Sequence, residues 1–131
     1  MARIIVVDDD PGVAAFLVRC LDAMGHETRA VATGKAALEL LASWAPDLLI
    51  TDINMPDMDG IELLRSVQKR SAIPVIAISG GGLIPVEVLL RNAELLGAVH
   101  TIAKPFELDD IRDAVSRALS DRPPRDTNPS E

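Results

Sequence analysis

Cysteine is nearly absent from this chain: Cys20 is the only one among 131 residues. A lone thiol excludes an internal disulfide and a cysteine-based zinc site. Long apolar runs are missing as well. No stretch approaches the ~20 consecutive apolar residues of a membrane-spanning helix, so no membrane contact is expected. Positive charge is in deficit, with 13 Lys and Arg against 20 Asp and Glu and a net charge of −7. That balance argues against the chain gripping a nucleic-acid backbone by itself. The N-terminus, Met1-Ala2-Arg3, enters a strand-like run at once, without the charged and apolar regions of a signal peptide. These absences predict a cytoplasmic protein, and the length suits one soluble domain.

What the chain does have is acid at the ends of apolar runs. Asp8-Asp9-Asp10 follows Ile4-Ile5-Val6-Val7, and Asp52 follows Leu48-Leu49-Ile50-Thr51. Lys104 follows a further apolar stretch, with Pro105 next. If these runs are neighbouring parallel strands, the carboxylates and the lysine meet at one sheet edge. Two like charges ~4 Å apart repel by ~4 kcal/mol at an effective dielectric of ~20. Such a cluster needs a cation, a proton or a lysine beside it, and that need marks it as a site.

Five strand-like runs alternate with five helix-like segments. The strands are expected at residues 4–7, 27–31, 47–52, 74–79 and 99–103. Asp10 reads as a helix N-cap with Pro11 at the first helical position. Val13, Leu17, Cys20, Leu21 and Met24 then form an apolar stripe, and Gly25 ends the helix. Thr33 caps a second helix, with Ala37, Leu38, Leu40 and Leu41 inward and Pro46 as its stop. A turn-rich loop over 53–59 leads to Gly60, which opens a third helix, with Ile61, Leu64 and Val67 on one face. Gly80-Gly81-Gly82 is a flexible break, and Pro85 starts a fourth helix that ends near Gly97. The last helix spans 107–120, with Leu108, Ile111, Val115 and Leu119 inward. Residues 121–131 are polar, carry three prolines and read as a disordered tail or linker stub, leaving 1–120 as the domain. Strand–helix alternation predicts an α/β, doubly wound, five-stranded parallel sheet of order 2-1-3-4-5 with helices on both faces. In that order strands one and three are neighbours at the topological switch point, which brings Asp8, Asp9 and Asp52 together.

A carboxylate there can serve as a nucleophile or as a metal ligand. Asp52 is placed to attack a phosphoryl group and become an aspartyl phosphate. The added negative charge calls for a hard divalent cation such as Mg²⁺, which favours oxygen ligands, waters and phosphate oxygens. Lys104 supplies a compact cation, and Ser79, at the end of the fourth strand, a hydroxyl donor. Backbone N–H groups near Asn54 and Gly80 complete a cradle for the phosphoryl oxygens.

Four segments carry a resemblance to a known family: Val6-Val7-Asp8-Asp9-Asp10, the run from Thr51-Asp52-Ile53-Asn54 to Asp59-Gly60, Ile78-Ser79-Gly80, and Lys104-Pro105-Phe106. In this order they resemble the flavodoxin-like receiver domain of two-component response regulators, over residues 1 to about 120. The resemblance implies that Asp52 accepts phosphoryl from a phosphohistidine of a sensor kinase or histidine phosphotransfer protein. It implies that Asp9, Asp52 and the Asn54 carbonyl hold Mg²⁺, with Asp8 acting partly through water. It implies that Ser79 and Lys104 bind the phosphoryl group, and that the Lys104-Pro105 bond is cis. It also makes the protein a phosphoacceptor regulator rather than an enzyme in the ordinary sense. One position departs from the family. Receivers often carry an aromatic switch residue three positions before the lysine, and here it is Thr101, with no ring to turn inward. The Gly80-Gly81-Gly82 loop is expected to move on phosphorylation.

Other conspicuous residues have ordinary readings. Asp10 is a cap, and Asp57 and Asp59 are turn residues. Cys20 belongs to the core, His26 and His100 lack metal partners at useful spacing, and Trp44 covers a helix end. In the fourth helix Val86, Leu89, Leu90, Ala93 and Leu96 face inward, while Ile84, Val88 and Leu95 fall on the other side. That second line offers a contact face for a downstream target protein or for a second copy in a homodimer. The competing function is an aspartate-nucleophile phosphatase or phosphotransferase of the haloacid dehalogenase type, with Asp8 in an Asp8-x-Asp10 pattern as nucleophile. Against it stand Pro11-Gly12, where a Thr-containing continuation is expected, and a length that leaves little room for a cap domain.

Overall fold

The computed structural model describes residues 1–53, 63, 65–67, 69, 73–79, 91 and 97–121. Its five strands are β1 (Arg3–Val7), β2 (Glu27–Val31), β3 (Leu48–Asp52), β4 (Val75–Ser79) and β5 (His100–Ala103). They form one sheet in the order β2-β1-β3-β4-β5, and every pairing is parallel. This is the expected doubly wound topology, with strand limits within one residue of those read from the sequence.

The alternation of side chains along a strand divides the core into two layers. Ile4, Val6, Leu48, Ile50, Ile76, Ile78 and Ile102 pack on one face. They meet Leu17, Cys20 and Leu21 of helix α1 (Pro11–Ala23), and Ile111 and Val115 of the C-terminal helix (Leu108–Asp121). Ile5, Val7, Leu49, Val75 and Ala77 pack on the other face, against Ala37 of helix α2 (Gly34–Leu41), Trp44, Leu63 and Val67. β3 and β4 are buried at every residue, which is why their apolar runs are unbroken. β2 is an edge strand, exposed at Glu27, Arg29 and Ala30 and half-buried at Thr28 and Val31.

Local signals set the helix limits. The Asp10 carboxylate accepts from the Gly12 and Val13 N–H groups at 2.9 and 3.4 Å, and Pro11 takes the first helical position. Gly25 follows α1 with φ +89°, the left-handed region that a Cβ disfavours. Thr33 Oγ1 accepts from Ala36 N–H at 3.0 Å at the start of α2. α2 ends at Leu41, short of Pro46. Its last turn tightens as Ala42 N–H bonds Glu39 O and Ser43 N–H bonds Leu40 O. The chain thereby turns Trp44 into the second core layer, with the guanidinium carbons of Arg29 and Arg3 at 4.6 and 5.5 Å from its ring centre. Trp44 is therefore core as well as helix cover.

Leu108 departs from its expected inward position and is exposed. The buried stripe of the C-terminal helix runs through Ile111, Ala114, Val115 and Ala118. At 100° per residue Leu108 lies on the margin of that stripe, in the first turn, where little is left to pack against. Conversely, Leu63 is fully buried and Phe16 packs on the first layer, neither being an expected inward residue. Ile61, Leu64, the fourth-helix residues Ile84, Val88 and Leu95, the glycines at 80–82 and residues 122–131 lie outside the described residues.

Candidate functional site

Side-chain parity explains why the polar strand ends converge. Asp8 lies two residues past Val6, Asp52 two past Ile50 and Lys104 two past Ile102, and all three apolar residues belong to the layer under α1 and the C-terminal helix. The three polar groups therefore continue that face at the carboxyl edge of the sheet. β1 and β3 are adjacent there, with Val7 registered on Thr51. Lys104 reaches across from β5: its Nζ donates a hydrogen bond to Asp52 Oδ2 at 3.0 Å and lies 3.3 Å from Asp8 Oδ2. The second contact is an ion pair without hydrogen-bond alignment, so Asp8 Oδ2 is buried with no hydrogen-bond partner. The other Asp8 oxygen, Oδ1, accepts from the Asp10 N–H at 2.9 Å. Thr51 Oγ1 donates to the Asp52 carbonyl at 2.9 Å and fixes the strand end.

Asp8, Asp9 and Asp52 each present a carboxylate oxygen within 4.8 Å of the other two. Asp8 and Asp52 are buried and Asp9 is exposed, so the cluster opens to solvent on one side. Three carboxylates against one ammonium leave two net negative charges, which one divalent cation would neutralise. All the donors are hard oxygens, and one buried oxygen lacks a hydrogen bond. Both features suit Mg²⁺, which binds through few carboxylates and keeps several waters.

Burial raises the pKa of Asp8 above its ordinary value. The Asp10 N–H bond and the Lys104 charge oppose that rise, and the Asp52 charge adds to it. For Lys104 burial works against the charged form, but the hydrogen bond to Asp52 and the charges of Asp52 and Asp8 prevail, and its pKa is raised. The site thus holds a firmly protonated lysine against a carboxylate that the interior disfavours as an anion.

Ser79 closes the last position of β4 and is fully buried, its Oγ without a hydrogen-bond partner. Its carbonyl accepts from Lys104 N–H at 2.9 Å, which ties the lysine backbone to the strand end. The Lys104-Pro105 peptide is cis, as expected. Asn54 lies outside the described residues. Thr101 is half-buried on β5, registered against Ala77. Cys20 is buried, and burial raises its thiol pKa. His26 Nδ1 accepts from Ala2 N–H at 3.1 Å.

Residues 4–116 match the family model of the response regulator receiver domain. The chain belongs to the response-regulator receiver family. It is 35% identical over 118 residues to sporulation initiation phosphotransferase F of Bacillus subtilis, covering 89% of this chain and 93% of that one. It is 37% identical over 116 residues to the DNA-binding transcriptional regulator NtrC of Escherichia coli, covering 88% of this chain and 24% of that one. The receiver domain of NtrX from Brucella abortus superposes with a TM-score of 0.85 at 33% identity, covering 91% of this chain and 99% of that one. The chain thus spans nearly all of one relative and about a quarter of the transcriptional regulators. A receiver is a phosphoacceptor signalling module of two-component systems. The dehalogenase-type reading finds no support in the fold: Asp10 of its Asp8-x-Asp10 pattern is the cap of α1.

Beside the acidic cluster lies an open hollow of about 530 Å³, walled by Val13 and Phe16 of α1 and by Lys104, Pro105 and Phe106. Phe16 had a sequence signal, three residues after Val13 on a helical stripe. Its pairing with Phe106 had none, since nothing local links positions 90 apart.

Proposed function

We propose that Asp52 is the phosphoacceptor and that the chain relays a signal from a phosphohistidine of a sensor kinase or a histidine phosphotransfer protein. The observation that carries this reading is the meeting of Asp8, Asp9 and Asp52 oxygens within 4.8 Å, with Lys104 Nζ 3.0 Å from Asp52. An Asp52 oxygen attacks phosphorus, the O–P bond forms as the P–N bond breaks, and the electron pair returns to the imidazole nitrogen. Asp9 and Asp52, together with the Asn54 carbonyl, would hold Mg²⁺, and Asp8 would contribute through water. The metal, when bound, supplies counter-charge to the phosphoryl oxygens. Lys104 exchanges its bond to Asp52 for one to the transferred group, and Ser79 turns its hydroxyl to a phosphoryl oxygen.

Residues 1–120 form the signalling domain in this reading, and 121–131 are a tail or linker. The domain acts in the cytoplasm, by altered contacts with a target protein. The helix expected from the sequence after Pro85, with Ile84, Val88 and Leu95 on its outer line, is the candidate contact face, for that target or for a second copy of the chain. Incubation with acetyl phosphate should load phosphoryl onto the wild type in a Mg²⁺-dependent way. Asp52→Ala should abolish uptake; full uptake by that variant would exclude the assignment.

A further inference from the structure

We propose that Phe16 is a positioning residue for Lys104, acting through Phe106. This inference rests on the reading of Asp52 as phosphoacceptor. The chain has only two phenylalanines, no tyrosine and one tryptophan. Both phenylalanines meet beside the site, with ring centres 6.0 Å apart and planes tilted by 43°.

Among the described residues, the loop that carries Lys104 has few anchors. Between Lys104 and Glu107, Pro105 and Glu107 are exposed, while Lys104 and Phe106 are half-buried. Phe106 is thus the apolar group by which the loop grips the body of the protein, and it packs against the layer that includes α1. The Lys104 N–H bond to Ser79 O fixes the start of the loop. The Glu107 N–H bond to Asp110 Oδ2, at 2.8 Å, fixes its end on the C-terminal helix. Between these two points the Phe106 ring rests on Phe16.

Phe16 belongs to the same helix whose cap, Asp10, donates its N–H to Asp8. One rigid element therefore sets both sides of the Lys104–Asp8 ion pair: the acid through the cap, and the ammonium through the two rings. Phosphoryl transfer is governed by placement, so a lysine displaced by part of an ångström lowers the rate. A ring on α1 has no chemical role of its own, and its effect must pass through the lysine. With Thr101 at the usual aromatic switch position, this pair is the aromatic contact among the described residues that touches the loop bearing Lys104.

The test is a double-mutant cycle on the initial rate of phosphoryl uptake from acetyl phosphate at saturating Mg²⁺. Phe16→Ala is expected to slow uptake by roughly tenfold, as a small misplacement does. Phe16→Leu should recover most of that loss, and the Mg²⁺ half-saturation should stay within twofold of wild type. In the Lys104→Ala background, Phe16→Ala should have no further effect. Without metal or phosphodonor, Phe16→Ala should speed hydrogen exchange at the Lys104 amide while the β1 amides keep their protection. An equal cost in both backgrounds, or protection lost throughout β1, would show a general packing role and overturn the proposal. So would uptake by Phe16→Ala within twofold of wild type. A wild-type chain that takes no phosphoryl on Asp52 fails the underlying reading, and the proposal falls with it; wild-type uptake without the predicted coupling overturns the proposal alone.

Discussion

At Asp8 the site works against the fold. The residue is 3% exposed, one oxygen lacks a hydrogen bond, and burial pushes its pKa up. A raised carboxyl pKa means that folding favours the protonated form. The resulting destabilisation is absent below the unfolded value near 3.8, and it grows as pH rises through the folded value. Asp8→Asn removes that charge, and Asn Oδ1 can still accept from Asp10 N–H. Without divalent cations at neutral pH the variant should be more stable by about 1 kcal/mol, as when a functional carboxylate is neutralised. The gain should shrink as pH falls toward 4, and Mg²⁺ should raise the melting temperature less than it does in the wild type. Thermal melts across pH would decide, and an Asp8→Asn chain that melts below wild type at pH 7 would refute the claim. The acids themselves were legible in the sequence, since Asp8, Asp9 and Asp52 end apolar runs. Their unequal burial was not, because it depends on which oxygen the Asp10 N–H and Lys104 take up.

At the scale of elements, the signals that were read correctly are local ones. Asp10, Thr33 and Gly25 bound their helices through hydrogen bonds or backbone conformation within four residues. Gly25 gives a clean check, because its φ is +89° and a Cβ there meets nothing within 4 Å. Gly25→Ala should therefore cost about 1 kcal/mol from left-handed backbone strain alone, without a steric clash. Denaturant unfolding would measure it, and a variant at least as stable as wild type would contradict the account. Where the reading missed, the deciding contact was distant or marginal. Leu108 sits at the edge of a stripe set by Ile111, Ala114, Val115 and Ala118, so periodicity alone placed it inward. Pro46 is the sequence signal for the stop of α2, but the helix already ends at Leu41, where the Ala42 and Ser43 N–H groups bond the Glu39 and Leu40 carbonyls.

Across the whole molecule, the topology creates the site. Order β2-β1-β3-β4-β5 sets β1 beside β3, and period-two alternation then points Asp8 and Asp52 to one face. This much followed from the alternation of strands and helices in the sequence alone. The reach of Lys104 from β5 over β4, and the rings that hold its loop, required the fold. The most direct test of the central claim is to phosphorylate the wild-type chain from a phosphohistidine protein with Mg²⁺ and locate the phosphoryl group by mass spectrometry of its peptides. The account predicts a labile phosphoryl on Asp52; a phosphoryl found on Asp8 or Asp9 instead would contradict it.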